Sequence, residues 1–276
     1  MIGVSCPDFS GSPVSDWVGP ISEHFRLWEI FSEADHAVYR DPSSIRDMLD
    51  AAGLECQVHS PICDWNIAAL SDRLREASLK ETMANIEAAE ELGAKVVTVH
   101  PGLSSMSVGG TESRAEERAR RSLRILDRFV EGRSLRLGIE NMPDVPFFLG
   151  RTADRLASLV DGTDLGITFD IGHANTTGQI DAMIDAFSDR LVNVHIHDNH
   201  GRRDEHLTIG DGDIDFGHVV SRLRGYRGNW IIESRSLESA VQSLSRLESL
   251  LSRGGSQFGR PRNQPSGRSI TCFTSL

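Results

Sequence analysis

Lysine is almost absent from this chain: only Lys80 and Lys95 occur in 276 residues. Lys80 falls in a helical run, and Lys95 opens a strand-like run at the end away from where that strand finishes. An enzyme that forms a Schiff base needs a lysine inside its site, so that chemistry is excluded. Basic residues are outnumbered, 29 against 40 acidic, for a net charge of −11. Phosphate backbones are held mainly by Lys and Arg, so the balance argues against a nucleic-acid partner, short of a local basic patch. Cysteine is scarce as well. Cys6, Cys56, Cys63 and Cys272 form no CxxC pair and read as small buried or incidental residues. No apolar run approaches the ~18 to 20 residues of a membrane span. The start, MIGVSCPDF, lacks the basic residues and long apolar stretch of a signal peptide. A cytoplasmic protein with no membrane partner is expected.

What is present is a regular alternation. Eight strand-like runs are separated by amphipathic helical runs, the pattern of βα units on a parallel sheet. The strands are expected at 2–5, 26–31, 54–59, 95–100, 136–140, 165–170, 191–197 and 229–233. Helices are expected at 43–52, 71–92, 112–130, 152–160, 180–187 and 237–251, several of them stopping just before a glycine. The stretch 8–20, rich in Gly, Pro and Ser, predicts a short or irregular helix. A (β/α)8 barrel of ~250 residues fits the length. No boundary interrupts residues 1–253, so a single barrel domain is expected there. Residues 254–276 turn to Gly, Ser, Pro, Arg and Gln, the composition of a disordered tail.

Six of the strands end in residues that ligate metals. They are His59, His100, Glu140, Asp170 with His173 just beyond, the pair His195 and His197, and Glu233. In a parallel barrel all strand C-termini open on one mouth, where active sites are built. Imidazole and carboxylate converging on one cavity is what a borderline divalent ion requires. Each residue also has a plainer reading. Glu140 could bridge to an arginine, and His195 and His197, alternate residues facing one way, could be polar core histidines. Asp204-Glu205-His206 could be a solvated acidic loop or could lower an Asp/His pair over the mouth. Asp170-Ile171-Gly172-His173 reads as one tight turn, and Gly210-Asp211-Gly212-Asp213 as a plain turn before a helix. His24, His36 and His218 are assigned no role, and the four tryptophans read as core or cavity wall. Occurrence at most strand ends of one barrel favours a metalloenzyme.

The segments HSPICDWN, VHPG, IENM, DIGH and HIHDNHGRRDEHLTIGDGDIDF, with the Glu of IIES, resemble the xylose isomerase-like barrels. That superfamily includes sugar-phosphate isomerases/epimerases and the endonuclease IV branch of AP endonuclease family 2. The resemblance covers residues 2 to about 251 and implies a single-domain TIM barrel with a divalent metal cofactor, whether Zn, Mn, Co or Mg. In the epimerase branch it implies one ion held by Glu140, Asp170, His195 and Glu233. Glu140 and Glu233 would then act as acid and base, and His173 would contact the substrate. In the endonuclease IV branch it implies nine ligands around three zinc ions. The additional ligands would be His59, His100, His173, Asp204 and His206, with Glu140 bridging two ions.

The acidic charge and the short loop SEADHAVYRDP after the second strand, which has little basic character, lean toward a small substrate. The paired catalytic lysine of true xylose isomerases has no counterpart. Only Arg202 or Arg203 loosely matches the arginine that orients substrates in epimerases. The expectation is therefore a metal-dependent isomerase/epimerase acting on a sugar or sugar phosphate. An endonuclease IV-like di- or trinuclear phosphodiester hydrolase is the alternative.

Overall fold

Alternate residues of a β-strand face opposite sides, and in this chain both sides are buried. The structure, a computed structural model, describes residues 1–256. Its strands are β1 (Ile2–Ser5), β2 (Leu27–Phe31), β3 (Glu55–His59), β4 (Val96–Val99), β5 (Arg136–Glu140), β6 (Gly166–Asp170), β7 (Leu191–Ile196) and β8 (Asn229–Glu233). They pair in chain order, all parallel, and β1 closes on β8 through Ile2–Trp230 to Ser5–Glu233. The expected (β/α)8 barrel is the observed fold.

One parity of residues, including Trp28, Ile30, Val58, Val97, Leu137, Ile139, Phe169, Val194 and Ile232, joins the apolar core between sheet and helices. The other parity fills the barrel. Its lower layer is polar. Glu29 Oε2 accepts from Gln57 Nε2 (3.1 Å) and Asn193 Nδ2 (2.7 Å), and Thr98 and Thr168 hydroxyls meet at 3.0 Å. Gly138 completes that layer because a Cβ there would lie 2.2 Å from Thr168 Oγ1. Two residues further along the same strands come His59, Glu140, Asp170, His195 and Glu233. The period-2 pleat thus stacks the ligand-type residues directly above a hydrogen-bonded polar floor.

The helices are α1 (Val14–Ser22), α2 (Pro42–Ala52), α3 (Asp72–Glu91), α4 (Glu112–Val130), α5 (Ala153–Val160), α6 (Ile171–Thr176), α7 (Ile180–Phe187), α8 (Phe216–Arg222) and α9 (Leu237–Ser256). Local chemistry explains their limits. Asp41 caps α2 by accepting from Ser44 N (3.1 Å), Pro42 opens it, and Gly53 ends it at φ +65°. The stretch 8–20 folds as a 3-10 turn (Pro7–Gly11) followed by α1. The tight turn expected at Asp170–His173 is instead the start of α6. Asp170 Oδ1 accepts from His173 N at 2.6 Å, and that N-cap turns the end of β6 directly into helix. Residues 257–276, most of the expected tail, lie outside the described residues. Among the described residues no helix is long and apolar enough to cross a membrane.

Candidate metal centre at the barrel mouth

His195 anchors the deepest part of the mouth. Its Nε2 lies 2.8 Å from Glu29 Oε1 in the polar floor, with Asn193 Nδ2 hydrogen-bonded to it at 3.0 Å. That contact directs Nδ1 upward to Glu140 Oε1 and Glu233 Oε1, both at 3.1 Å, with Asp170 Oδ2 at 3.9 Å. One imidazole nitrogen cannot satisfy three carboxylates, and all four groups are buried. Burial opposes a charge on His195, but Glu29, Glu233 and Glu140 outweigh it and hold the imidazole pKa well above its usual value. The carboxylates respond inversely. Burial would raise Glu140 and Glu233, yet His195 and the neighbouring imidazoles hold both below the usual range. Asp170 Oδ2 is buried with no hydrogen-bond partner. An unpaired carboxylate oxygen aimed at a cluster of anions is the environment a cation would satisfy.

Glu140 also faces the other way. Its Oε2 lies 2.9 Å from His100 Nε2 and 3.2 Å from His59 Nε2. His59 Nδ1 donates to the Ser60 carbonyl at 2.7 Å, which leaves Nε2 as the basic nitrogen. The ion-pair partners of Glu140 are thus His59, His100, His173 and His195, and the plainer reading of an arginine bridge does not hold.

A third group lies at the rim. Asp204 Oδ2 is 3.0 Å from His206 Nε2 and 3.3 Å from His173 Nε2, while Oδ1 is 3.4 Å from His197 Nε2. His173 Nδ1 donates to the Asn141 carbonyl at 2.8 Å. Asn141 also exchanges two 2.8 Å hydrogen bonds with the backbone of Asp170, tying the ends of β5 and β6 together. Both nitrogens of His173 are therefore engaged, which leaves it less free to touch a substrate than the resemblance implies.

The ligand-type residues fall into three groups: His59, His100 and Glu140; Glu140, Asp170, His195 and Glu233; and His173, His197, Asp204 and His206. In each, one ligand atom per residue lies within 4.8 Å of every other. All nine ligand candidates of the sequence are brought together. From the sequence His197 reads only as a strand-end residue outside the ligand set. Glu29 goes unassigned there too, although an acidic residue inside an otherwise apolar strand (LWEIF) is its signal. Of the acidic loop, Asp204 and His206 reach the mouth, whereas Glu205 turns outward to His200 (3.1 Å). Arg202 and Arg203 are exposed. The run 210–213 is a turn, as expected, with Gly210 N and Gly212 N donating to Asp198 Oδ2 at 2.8 and 2.9 Å.

Comparison with known proteins agrees with this architecture. Residues 22–250 match the family described as xylose isomerase-like TIM barrel. An uncharacterized protein of Methanocaldococcus jannaschii, MJ1311, is 35% identical over 261 residues, covering 90% of this chain and 88% of that protein. A probable endonuclease 4 of Mycobacterium leprae is 28% identical over 189 residues, 64% of this chain and 72% of that protein. Among solved structures, a D-tagatose 3-epimerase-like protein superposes with a TM-score of 0.86 at 32% identity, covering 92% of this chain and 98% of that one. With its closed parallel barrel and its match across most of its length, this chain belongs to the xylose isomerase-like TIM barrel family.

Proposed function

We propose that the protein is a metal-dependent isomerase or epimerase of a small sugar or sugar phosphate. The observation that carries this reading is the convergence of Glu140 Oε1 and Glu233 Oε1 on His195 Nδ1, each at 3.1 Å, at the barrel mouth. Two carboxylates held against one point can take a proton from a substrate carbon and return one to it. A divalent ion held by Glu140, Asp170, His195 and Glu233 would supply Lewis-acid polarisation of the substrate carbonyl. Glu233 has the freer second oxygen, since Oε2 lies 3.7 Å from His206 Nδ1. Glu233 would then take the proton next to the carbonyl, and Glu140 would return one to the carbon. His195 keeps both in place through Glu29. The likeness to a D-tagatose 3-epimerase-like protein and the net charge of −11 both support a small sugar over a polyanion.

A second reading has its own observation. Glu140 presents one oxygen to His59 and His100 and the other to His195, as a carboxylate shared between two ions would. That arrangement, and the likeness to a probable endonuclease 4, favour a polynuclear phosphodiester hydrolase with water as the nucleophile. One pair of assays separates the two. The expected result is solvent deuterium entering a ketose or ketose phosphate, with no incision of an abasic-site duplex at near-physiological salt. Incision without deuterium uptake would replace the first reading by the second.

A further inference from the structure

A cavity of about 340 Å3 lies between the loops that follow β2 and β3, lined in part by Ser32, Tyr39, Arg40, Pro61 and Trp65. Its inner edge is close to the barrel mouth. Ser32 follows Phe31, whose ring stacks on His59 at 4.5 Å, and Pro61 stands two residues past His59, a reach of at most ~7 Å. Pro61 and Trp65 also line the small cavity that His100 borders. One wall is aromatic. Tyr39 and Trp65 have ring centroids 6.4 Å apart and planes at 44°. A third ring between them would need two contacts of ~3.5 Å each, so the pair forms one bent surface. The rest is polar. Glu33 Oε1 accepts from Ile62 N and, at 2.8 Å, from Cys63 N, which ties the two loops together. Arg40 and Asp64 stand exposed at the edge. Ala34 holds a left-handed φ of +47°, uncommon for a residue with a side chain, and Arg40 Nη1 donates to its carbonyl at 3.2 Å. Backbone strain of this kind clusters at ligand sites.

We propose that this cavity is a second sugar subsite, which takes the glycosyl unit of a substrate whose ketose end lies at Glu140 and Glu233. The substrate class is then a ketose-ended disaccharide or a related glycoside, a narrowing that rests on the isomerase/epimerase reading above. Three observations select this ligand. The volume falls at the low end of the ~300–1,000 Å3 of small-molecule sites, room for one sugar ring and not for a polymer. Tyr39 and Trp65 offer a flat apolar surface to the C–H face of a pyranose and polar edges to its hydroxyls. Glu33 and Asp64 supply acceptors, and Arg40 a fork of donors, for the hydroxyls that remain. Two carboxylates against one guanidinium disfavour a phosphate here, so the unit bound is a neutral one.

Cys63 makes binding in the cavity measurable. It is a free, exposed thiol in the lining, whereas Cys6 and Cys56 are buried. The test follows alkylation of the peptide that contains Cys63 by iodoacetamide, read by mass spectrometry on the full chain loaded with manganese. D-fructose is compared with lactulose and isomaltulose, which carry a hexopyranosyl unit on a fructose end. At least one disaccharide should slow labelling fivefold or more, and fructose at the same concentration should not. In solvent deuterium exchange, that disaccharide should exceed fructose at least tenfold in kcat/KM. Trp65→Ala should erase the preference through KM, and Trp65→Phe should keep it; if Trp65→Ala does not fold, the labelling of wild type decides alone. Labelling unchanged by both disaccharides, equal protection by fructose, or a preference that survives Trp65→Ala would overturn the subsite, and exchange into fructose would still leave the epimerase reading in place. Protection by a disaccharide without exchange into any ketose would keep the sugar subsite and remove the epimerase reading instead.

Discussion

At the scale of single residues, Glu29 shows how a buried charge earns its place. It is fully buried in β2, and its oxygens meet Gln57, Asn193 and the Nε2 of His195. The carboxylate beside Nε2 favours the charged imidazole and would support the ring in holding an ion at Nδ1. Glu29→Gln should therefore weaken metal binding ~10–100-fold while the barrel stays folded. Competition against a chelator measures this, and unchanged affinity would reduce Glu29 to a polar core residue. Glu140→Gln, Asp170→Asn and Glu233→Gln should each abolish turnover and sharply weaken metal binding without unfolding. Any of the three that keeps wild-type activity and ion content leaves the site.

The element that matters most is the segment between β7 and α8. Asp198, fully buried, accepts backbone N–H groups from Asn199, Gly210, Gly212 and Ile214 at 2.8–3.2 Å. Its own backbone pairs in both directions with Leu207. The loop is thus folded around one carboxylate, which brings Asp204 and His206 back to the mouth. Asp198→Ala would leave those donors without their acceptor, and each buried unsatisfied group costs ~1–3 kcal/mol. A loss of several kcal/mol in denaturant unfolding is expected, with lower metal content. A loss below ~1 kcal/mol would mean that the loop is held by other contacts.

For the whole molecule, the mouth concentrates titratable groups that oppose one another. Burial lowers the His197 pKa, but Asp170 and Asp204 bring it up to about 9. A pKa raised in the fold stabilises the metal-free protein below the ordinary histidine value of 6.5, and that contribution is lost as pH rises toward about 9. Glu140, Asp204 and Glu233 are depressed, so their contribution is lost only as pH falls below the usual carboxylate range. The Tm of chelator-treated protein should fall by several degrees between pH 6.5 and 9, and loading with metal should abolish that fall, because an ion replaces the protons. A flat Tm in metal-free protein would contradict this account. Charge acts over longer range too. With net charge −11, affinity for duplex DNA should be negligible near physiological salt, and tight binding in a filter assay would show a basic patch that the composition hides.

The strands, most helices and the ligand-type residues at the strand ends are legible in the sequence, because strand periodicity, stop glycines and polar residues at strand ends are set by neighbours in the chain. Asp204 and His206, in a loop, are singled out only by the family resemblance. β1, β5 and β8, and helices α4 and α7, match their sequence-based bounds, whereas α6 does not, because its start depends on the Asp170 cap. Only barrel closure decides which strand ends meet and at what height. It places Glu29 under His195, points the two oxygens of Glu140 at different histidines, and adds His197 to the group around Asp204. These relations depend on the register between strands and on a loop folded around Asp198, and no local pattern along the chain encodes either.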